Sequence, residues 1–173
     1  PHDYWVRLVS DGQQLTAFYS FDGVDFLPVG RPGSLATFQN PQIGPVALSD
    51  QAASYPVARF DWIRFNPDGT SGGGGGGADF RDDFDGTALG SGWEVVRQNQ
   101  DLTVSGGALR IPAQPGDLYG GAPDNAQNLT LRALPDGPWT ATTNAQLQVN
   151  TELFEFICNE NEKSTAHMGP NIK

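Results

Sequence analysis

A run of six consecutive glycines, Gly72–Gly77, divides this chain of 173 residues into two parts. Glycine loses more backbone entropy on ordering than any other residue, so such a run cannot be held in a helix or a strand. Together with the short polar residues before it, the run is typical of a flexible linker. We therefore predict a linker over residues 67–79, which leaves 1–66 and 80–173 as two separately patterned parts.

The first part has the pattern of short strands joined by tight turns. Apolar and polar residues alternate over Tyr4–Ser10 and Gln14–Phe21, and an Asp-Gly dipeptide follows each stretch closely. Asp and Gly tolerate the positive φ that hairpin turns require, so these residues predict a hairpin. Two further strands are predicted at Ile43–Ser49 and Val57–Phe65, with Pro- and Gln-rich loops at Arg31–Pro41 and Asp50–Pro56.

The second part returns to the same pattern after the linker. Its predicted strands are Trp93–Arg97, Leu102–Ser105, Ala108–Pro112, Leu129–Ala133, Trp139–Val149 and Leu153–Cys158. No long stretch has the periodicity of an amphipathic helix, and the chain contains 22 Gly and 13 Pro. This combination predicts an all-β fold built from antiparallel strands and turns.

Charge and cysteine content limit the partners of the chain. The net charge of −10 disfavours binding to nucleic acid or to anionic lipid surfaces. No apolar run is long enough to insert into a membrane. The single cysteine, Cys158, excludes an internal disulfide, and its apolar neighbours are typical of a small buried side chain.

Several stretches occur in a consistent local order within each part. They are Tyr4-Trp-Val-Arg-Leu8, Tyr19-Ser-Phe-Asp-Gly23, Ala58-Arg-Phe-Asp-Trp-Ile-Arg-Phe65, Phe80-Arg-Asp-Asp-Phe-Asp-Gly-Thr-Ala-Leu-Gly-Ser-Gly-Trp93, Leu102-Thr-Val-Ser-Gly-Gly-Ala-Leu-Arg-Ile111, Asn128-Leu-Thr-Leu131, Asp136-Gly-Pro-Trp-Thr-Ala-Thr-Thr143 and Phe154-Glu-Phe-Ile157. Together they resemble a concanavalin A-like, or laminin G-like, module. Such modules accompany bacterial secreted glycoside hydrolases and form the C-terminal domain of some β-xylosidases. The resemblance implies a jelly-roll β-sandwich.

The order of the two parts is reversed relative to that family. Residues 1–66 resemble the C-terminal half of the module, and residues 80–173 resemble its N-terminal and middle part. The chain is then a circular permutant, a cut across a tandem array of modules, or part of a longer chain, and we rank the tandem cut above permutation. Half a sandwich exposes an apolar face and open edges, so each half needs the other half or further segments.

Candidate binding residues lie on the first hairpin and on one later loop. Strand alternation places Trp5, Arg7 and Phe18 on one face, and Tyr119 lies in a Gly-rich loop. Aromatic rings stack on sugar rings and Arg bonds sugar hydroxyls, so these residues predict a glycan-binding surface. The alternative is that Trp5 and Phe18 pack under a loop or against a second sheet. Three other tryptophans are expected in the core, namely Trp62, Trp93 and Trp139.

Carboxylates are concentrated around the start of the second part. Asp82 and Asp83, with Asp61 on the closing strand, are candidate ligands of a structural Ca²⁺ ion, because hard oxygen ligands suit that ion. The alternative is a solvated acidic turn. No catalytic set is found, since Glu152 and Glu155 are three residues apart and point to opposite faces of a strand.

These observations predict a function without catalysis. The expected role is a carbohydrate-binding or accessory module of a secreted polysaccharide-acting protein, located outside a bacterial cell. Its partners would be a glycan and neighbouring modules of the same protein. The alternatives are a structural or adhesive spacer in a tandem-repeat surface protein and a glycoside hydrolase.

Overall fold

The computed structural model describes residues 2–36, 38, 40–49, 56–67, 79–116, 125–134 and 137–147. Over these residues the regular secondary structure consists of β-strands, and every ladder between named strands is antiparallel. The predicted all-β fold is therefore confirmed. Within the same residues no helix is long and apolar enough to cross a membrane.

The structure contains strands on both sides of the glycine run. In chain order they are β1 His2–Ser10, β2 Gln14–Ser20, β3 Leu27–Ser34, β4 Gln42–Ile43, β5 Val57–Pro67, β6 Phe80–Asp82, β7 Glu94–Val96, β8 Thr103–Val104, β9 Leu109–Pro112, β10 Leu129–Ala133 and β11 Trp139–Leu147. The glycine run itself and residues 148–173 lie outside the described residues.

Strands from both parts of the chain alternate within one large sheet. The strand order is β3-β2-β1-β11-β5-β9-β8, and β6 also pairs with β5. The long strand β5 therefore pairs with β11 along one edge and with β9 and β6 along the other. All of these neighbours of β5 come from the second part of the chain, so the two parts complete one another.

A smaller sheet, β4-β10-β7, also combines the two parts, because β4 precedes the glycine run and β10 follows it. The core unites residues of both sheets, including Leu8, Phe60 and Trp139 of the large sheet and Ile43 of the small one. Val95 on β7 packs against this core as well. The result is a β-sandwich-like arrangement in which burying one apolar face of each sheet stabilises the fold.

The turns follow from local hydrogen bonds. After β1, the carboxylate of Asp11 accepts hydrogen bonds from the backbone N–H groups of Gln13 and Gln14, at 2.8 and 2.7 Å. Gly12 adopts φ +92°, which an L-residue with a side chain rarely adopts. The Asp-Gly dipeptide therefore forms the predicted hairpin between β1 and β2.

Three predictions from the sequence need correction. The predicted loop Arg31–Pro41 begins inside β3, which pairs with β2 at the edge of the large sheet. The predicted strand Ile43–Ser49 is paired only at Gln42–Ile43, apart from an isolated bridge at Leu48. Of the tryptophans expected in the core, Trp139 is buried and the half-buried Trp93 packs against the core, whereas Trp62 is half-buried and does not belong to the core cluster.

Candidate functional site

One face of the large sheet points away from the core. Leu8, Ala141 and Phe65 lie opposite one another on β1, β11 and β5, and all three are buried. Side chains alternate along a strand, so the residues next to these three point outward. The shared face predicted for residues of the first hairpin is confirmed, since Arg7 pairs with Phe18 and Leu8 pairs with Ala17.

We define the outer face by three rows of residues that lie in register across the large sheet. The rows are Phe18, Arg7, Thr142, Arg64 and Arg81; Ser20, Trp5, Asn144 and Trp62; and Asp3, Gln146, Arg59, Arg110 and Thr103. Each row combines residues from both parts of the chain. The face therefore forms only when the two parts pair.

The middle row places two tryptophans on either side of an asparagine. Trp5 on β1 and Trp62 on β5 are both register partners of Asn144 on the intervening strand β11. Neighbouring strands lie about 4.8 Å apart, so the two tryptophan backbones are separated by roughly 10 Å. Both rings are half-buried, while Asn144 between them is only 5% exposed.

A rigid turn supports one end of this row. The carboxylate of Asp22 accepts hydrogen bonds from the N–H groups of Val24 and Asp25 and from the Ser20 hydroxyl, at 2.8, 2.9 and 2.9 Å. The backbone hydrogen bonds to Val24 and Asp25, and then the bond to Ser20, lower the pKa of Asp22. Trp5 packs over this turn, because a Cβ atom on Gly23 would lie 3.0 Å from its indole ring.

Arg7 occupies the centre of the first row. Its guanidinium carbon lies 3.6 Å from the centroid of the Phe26 ring, a cation–π contact, and its Nε donates a long hydrogen bond of 3.4 Å to the Thr142 hydroxyl. Burial lowers the pKa of Arg7. Among the described residues no carboxylate forms an ion pair with it.

Four other arginines of the outer face lie in two directly opposed pairs. Arg64 on β5 is the register partner of Arg81 on β6, and Arg59 on β5 is the register partner of Arg110 on β9. Like charges directly opposite one another destabilise a sheet.

Three of these arginines have carboxylate neighbours. Arg64 pairs with Asp79 at 2.8 Å, Arg59 with Asp61 at 2.9 Å, and Arg81 with Asp83. The hydrogen bond to Asp83 raises the pKa of Arg81, and the same bond lowers the pKa of Asp83. The guanidinium of Arg81 also lies 4.8 Å from the Trp62 ring centroid, which links this pair to the tryptophan row.

Several buried polar atoms of these strands have no hydrogen-bond partner. Within the described residues they include Arg59 Nε, Asp61 Oδ1 and Thr140 Oγ1. The Asp61 oxygen lies within ion-pair distance of Arg59 but outside hydrogen-bond geometry. Buried polar groups without partners are uncommon in folded proteins.

The structure brings together most of the predicted binding residues. Trp5 and Arg7 lie two residues apart on the outer face, and Phe18 is opposite Arg7. Tyr119 lies outside the described residues. Trp62 and Asn144 belong to the same face and were not among the predicted binding residues.

The three predicted calcium ligands contact different groups. Asp82 accepts hydrogen bonds from Trp93 Nε1 and from the Phe84 N–H, at 2.8 and 2.9 Å, whereas Asp61 and Asp83 pair with their arginines. Over the described stretches no three His, Cys, Asp or Glu residues are grouped as metal ligands. The calcium site stays a prediction, as does any role of Glu152 and Glu155, which lie outside those stretches.

Comparison with known proteins adds no family assignment. No model of a known protein family matches the chain. A search of curated proteins likewise finds no match. The all-β, sandwich-like character therefore rests on the structure, and the resemblance to a concanavalin A-like module stays a prediction.

Proposed function

We propose that this chain is a non-catalytic carbohydrate-binding module of a secreted, polysaccharide-acting protein, and that the outer face of the large sheet binds the glycan. In this proposal neighbouring modules of the same protein carry out the reaction. The module would then hold the protein on its polysaccharide outside the cell.

The observation that carries the proposal is the row of Trp5, Asn144 and Trp62. Two tryptophans whose backbones are about 10 Å apart, given the spacing of strands, suit two sugar rings along one extended chain. An indole ring offers a large apolar surface for the C–H groups of a pyranose. Asn144 lies between the two tryptophans on the intervening strand and is buried, so the proposal assigns the sugar contacts to the two indole rings.

The surroundings of this row fit the same role. Thr142 and Gln146, on the same strand as Asn144, add further hydroxyl and amide groups to the outer face. The turn that supports Trp5 fixes the ring before binding, which lowers the entropy lost on association.

The test is retention of the folded protein on insoluble polysaccharides, followed by titration with soluble oligosaccharides. Trp5→Ala and Trp62→Ala are each expected to weaken binding by about tenfold or more, since buried aromatic anchors dominate such interfaces. The matched control is Phe21→Ala, which removes a ring that is 64% exposed and contacts Tyr4 and Tyr19 rather than the outer face.

Two results would overturn the proposal. One is binding that Phe21→Ala weakens as strongly as Trp62→Ala does, because the outer face would then have no special role. The other is a folded protein that binds no glycan, neutral or acidic, which would favour the structural or adhesive spacer.

A further inference from the structure

The outer face of this acidic chain is rich in arginine. The whole chain carries a net charge of −10. Yet five arginines, namely Arg7, Arg59, Arg64, Arg81 and Arg110, lie in two of the three rows of the outer face. Resting on the function proposed above, we infer that the glycan bound there is anionic and carries carboxylate or sulfate groups.

The opposed arginine pairs are the first argument. A sheet gains stability when opposite charges face one another and loses it when like charges do. Arg59 faces Arg110 and Arg64 faces Arg81 in adjacent strands. Carboxylates offset the charge of Arg59, Arg64 and Arg81, whereas Arg110 has no ion pair among the described residues. An anion bound beside Arg110 would offset the charge left on the Arg59–Arg110 pair.

Arg7 provides the second argument. It is half-buried, held over Phe26 and bonded to Thr142, so its planar fork is oriented before any ligand arrives. Among the described residues it has no carboxylate partner. An oriented guanidinium without a counter-ion matches the two oxygens of a carboxylate or sulfate, which it binds with paired hydrogen bonds.

Within the described residues, two of the three ion pairs on the outer face are exposed to solvent. The side chains of Arg64 and Asp79 are 45% and 56% exposed, and those of Arg81 and Asp83 are 47% and 45% exposed. Ion pairs this exposed contribute little stability and are screened by salt. A ligand anion can therefore share or replace either carboxylate.

The spacing of the charges distinguishes an acidic glycan from a nucleic acid. The backbones of Arg7 and Arg64 are two strands apart, or about 10 Å, and the backbone of Arg81 lies about 5 Å further along the row. Duplex DNA carries one charge per about 1.7 Å of its axis, and the carboxylates of Asp61, Asp79 and Asp83 would repel such a dense charge. A polysaccharide with one anionic group per sugar is more sparsely charged and suits arginines at these intervals.

The experiment compares polymers that differ only in charge. Binding of the full chain to polygalacturonate is measured against fully methyl-esterified polygalacturonate, and dextran sulfate is measured against dextran. We expect each neutral polymer to bind about tenfold or more weakly, and the preference to fall as NaCl is raised, because hydrogen bonds to charged groups are the strong ones. The two anionic polymers distinguish carboxylate from sulfate.

Single substitutions then show which arginine binds the anionic polymer. Arg7→Gln is expected to weaken binding to the preferred anionic polymer by about tenfold and to leave binding to neutral polymers almost unchanged. Arg110→Gln removes a second outer-face charge and serves if Arg7→Gln fails to fold. The control is Arg31→Gln, which removes an equal charge from the exposed edge strand β3 and should bind as the unaltered chain does.

The outcomes separate this inference from the function on which it rests. Equal binding to neutral and anionic polymers that still depends on Trp62 overturns the inference and leaves the carbohydrate-binding proposal standing. Loss of binding in Arg31→Gln equal to that in Arg7→Gln also overturns it. Tighter binding to single-stranded oligonucleotides than to any glycan overturns both proposals.

Discussion

Gly44→Ala tests whether the two parts of the chain pair as described. Gly44 follows β4, in the first part, and packs against β10, in the second part. A Cβ atom on Gly44 would lie 1.7 Å from the carbonyl oxygen of Thr130 and 2.8 Å from its carbonyl carbon. Since real Cβ atoms essentially never approach another heavy atom within 3.0 Å, the two backbones must move apart by more than an ångström.

The expected loss of stability follows from what this movement breaks. Overpacking a fixed site costs about 1–3 kcal/mol. The displacement also weakens the hydrogen bond from Thr130 N to the Pro45 carbonyl oxygen, 3.2 Å long, and the pairing of Arg132 with Ile43. Each backbone hydrogen bond contributes about 1 kcal/mol. We expect the free energy of unfolding to fall by about 2–5 kcal/mol, a large share of the stability of an ordinary domain.

The assay is unfolding in urea monitored by tryptophan fluorescence, and the matched control is Gly86→Ala. Gly86 has no positive φ, and a Cβ atom added there would lie no closer than 3.4 Å to its nearest neighbour, the Ala88 carbonyl oxygen. The free energy of unfolding of this variant should therefore lie within about 0.5 kcal/mol of that of the unaltered chain. Equal midpoints for the two variants would refute the described packing of β4 on β10. The union of the two parts in the small sheet would then be wrong.

Two further predictions concern the Asp22 turn and the buried amide of Asn128. The pKa of Asp22 is lowered from 3.8, so its carboxylate stabilises the fold above pH 3.8, and this contribution is lost as the pH falls through the folded pKa. Melting temperatures measured from neutral to acid pH should therefore fall less steeply for Asp22→Asn than for the unaltered chain. Equal slopes of melting temperature against pH for the two proteins would contradict this. Asn128 begins the glycosylation sequon Asn-Leu-Thr, but it is fully buried and its Nδ2 donates to Asn99 Oδ1 at 3.1 Å. Asn128→Ala should lower the free energy of unfolding by about 1–3 kcal/mol in urea unfolding, because the Asn99 N–H loses its bond to Asn128 Oδ1 and Asn99 Oδ1 loses its bond from Asn128 Nδ2.

Local chemistry was enough to predict the first hairpin. The alternation of Val6 and Leu8 with Trp5 and Arg7 fixed which residues share a face, and the Asp-Gly dipeptide fixed the turn. The burial of Trp139 also followed from its position at the start of an apolar strand. In each case the determining residues are neighbours in the sequence.

Edge strand β3 shows what local chemistry cannot predict. It contains Pro28, Gly30 and Pro32, residues that are unfavourable in a central strand. Proline is tolerated at the edge of a sheet, where its missing N–H group faces no neighbour. The strand exists because it pairs with β2, and that contact is not visible in its own sequence.

The side of β5 on which Trp62 lies follows from the alternation of its neighbours. Ile63 and Phe65 are apolar at alternate positions, and both are buried, so Trp62 and Arg64 must point to the other side of β5. Size and hydrophobicity suggested the core, and alternation overrules that suggestion. The partnership of Trp62 with Asn144, by contrast, depends on strand pairing across the glycine run.

The candidate site depends on the pairing of the two parts of the chain, because each row of the outer face contains residues from both parts. In the first row Arg7 and Arg64 belong to the first part of the chain, whereas Thr142 and Arg81 belong to the second. In the middle row Asn144 of the second part separates two tryptophans of the first. Without β11 between β1 and β5, the two rings would have no fixed separation and Arg7 would lose its hydrogen bond to Thr142. Glycan binding through this face therefore requires both parts of the chain, and a fragment ending before the glycine run should not bind even if it keeps Trp5, Arg7 and Trp62.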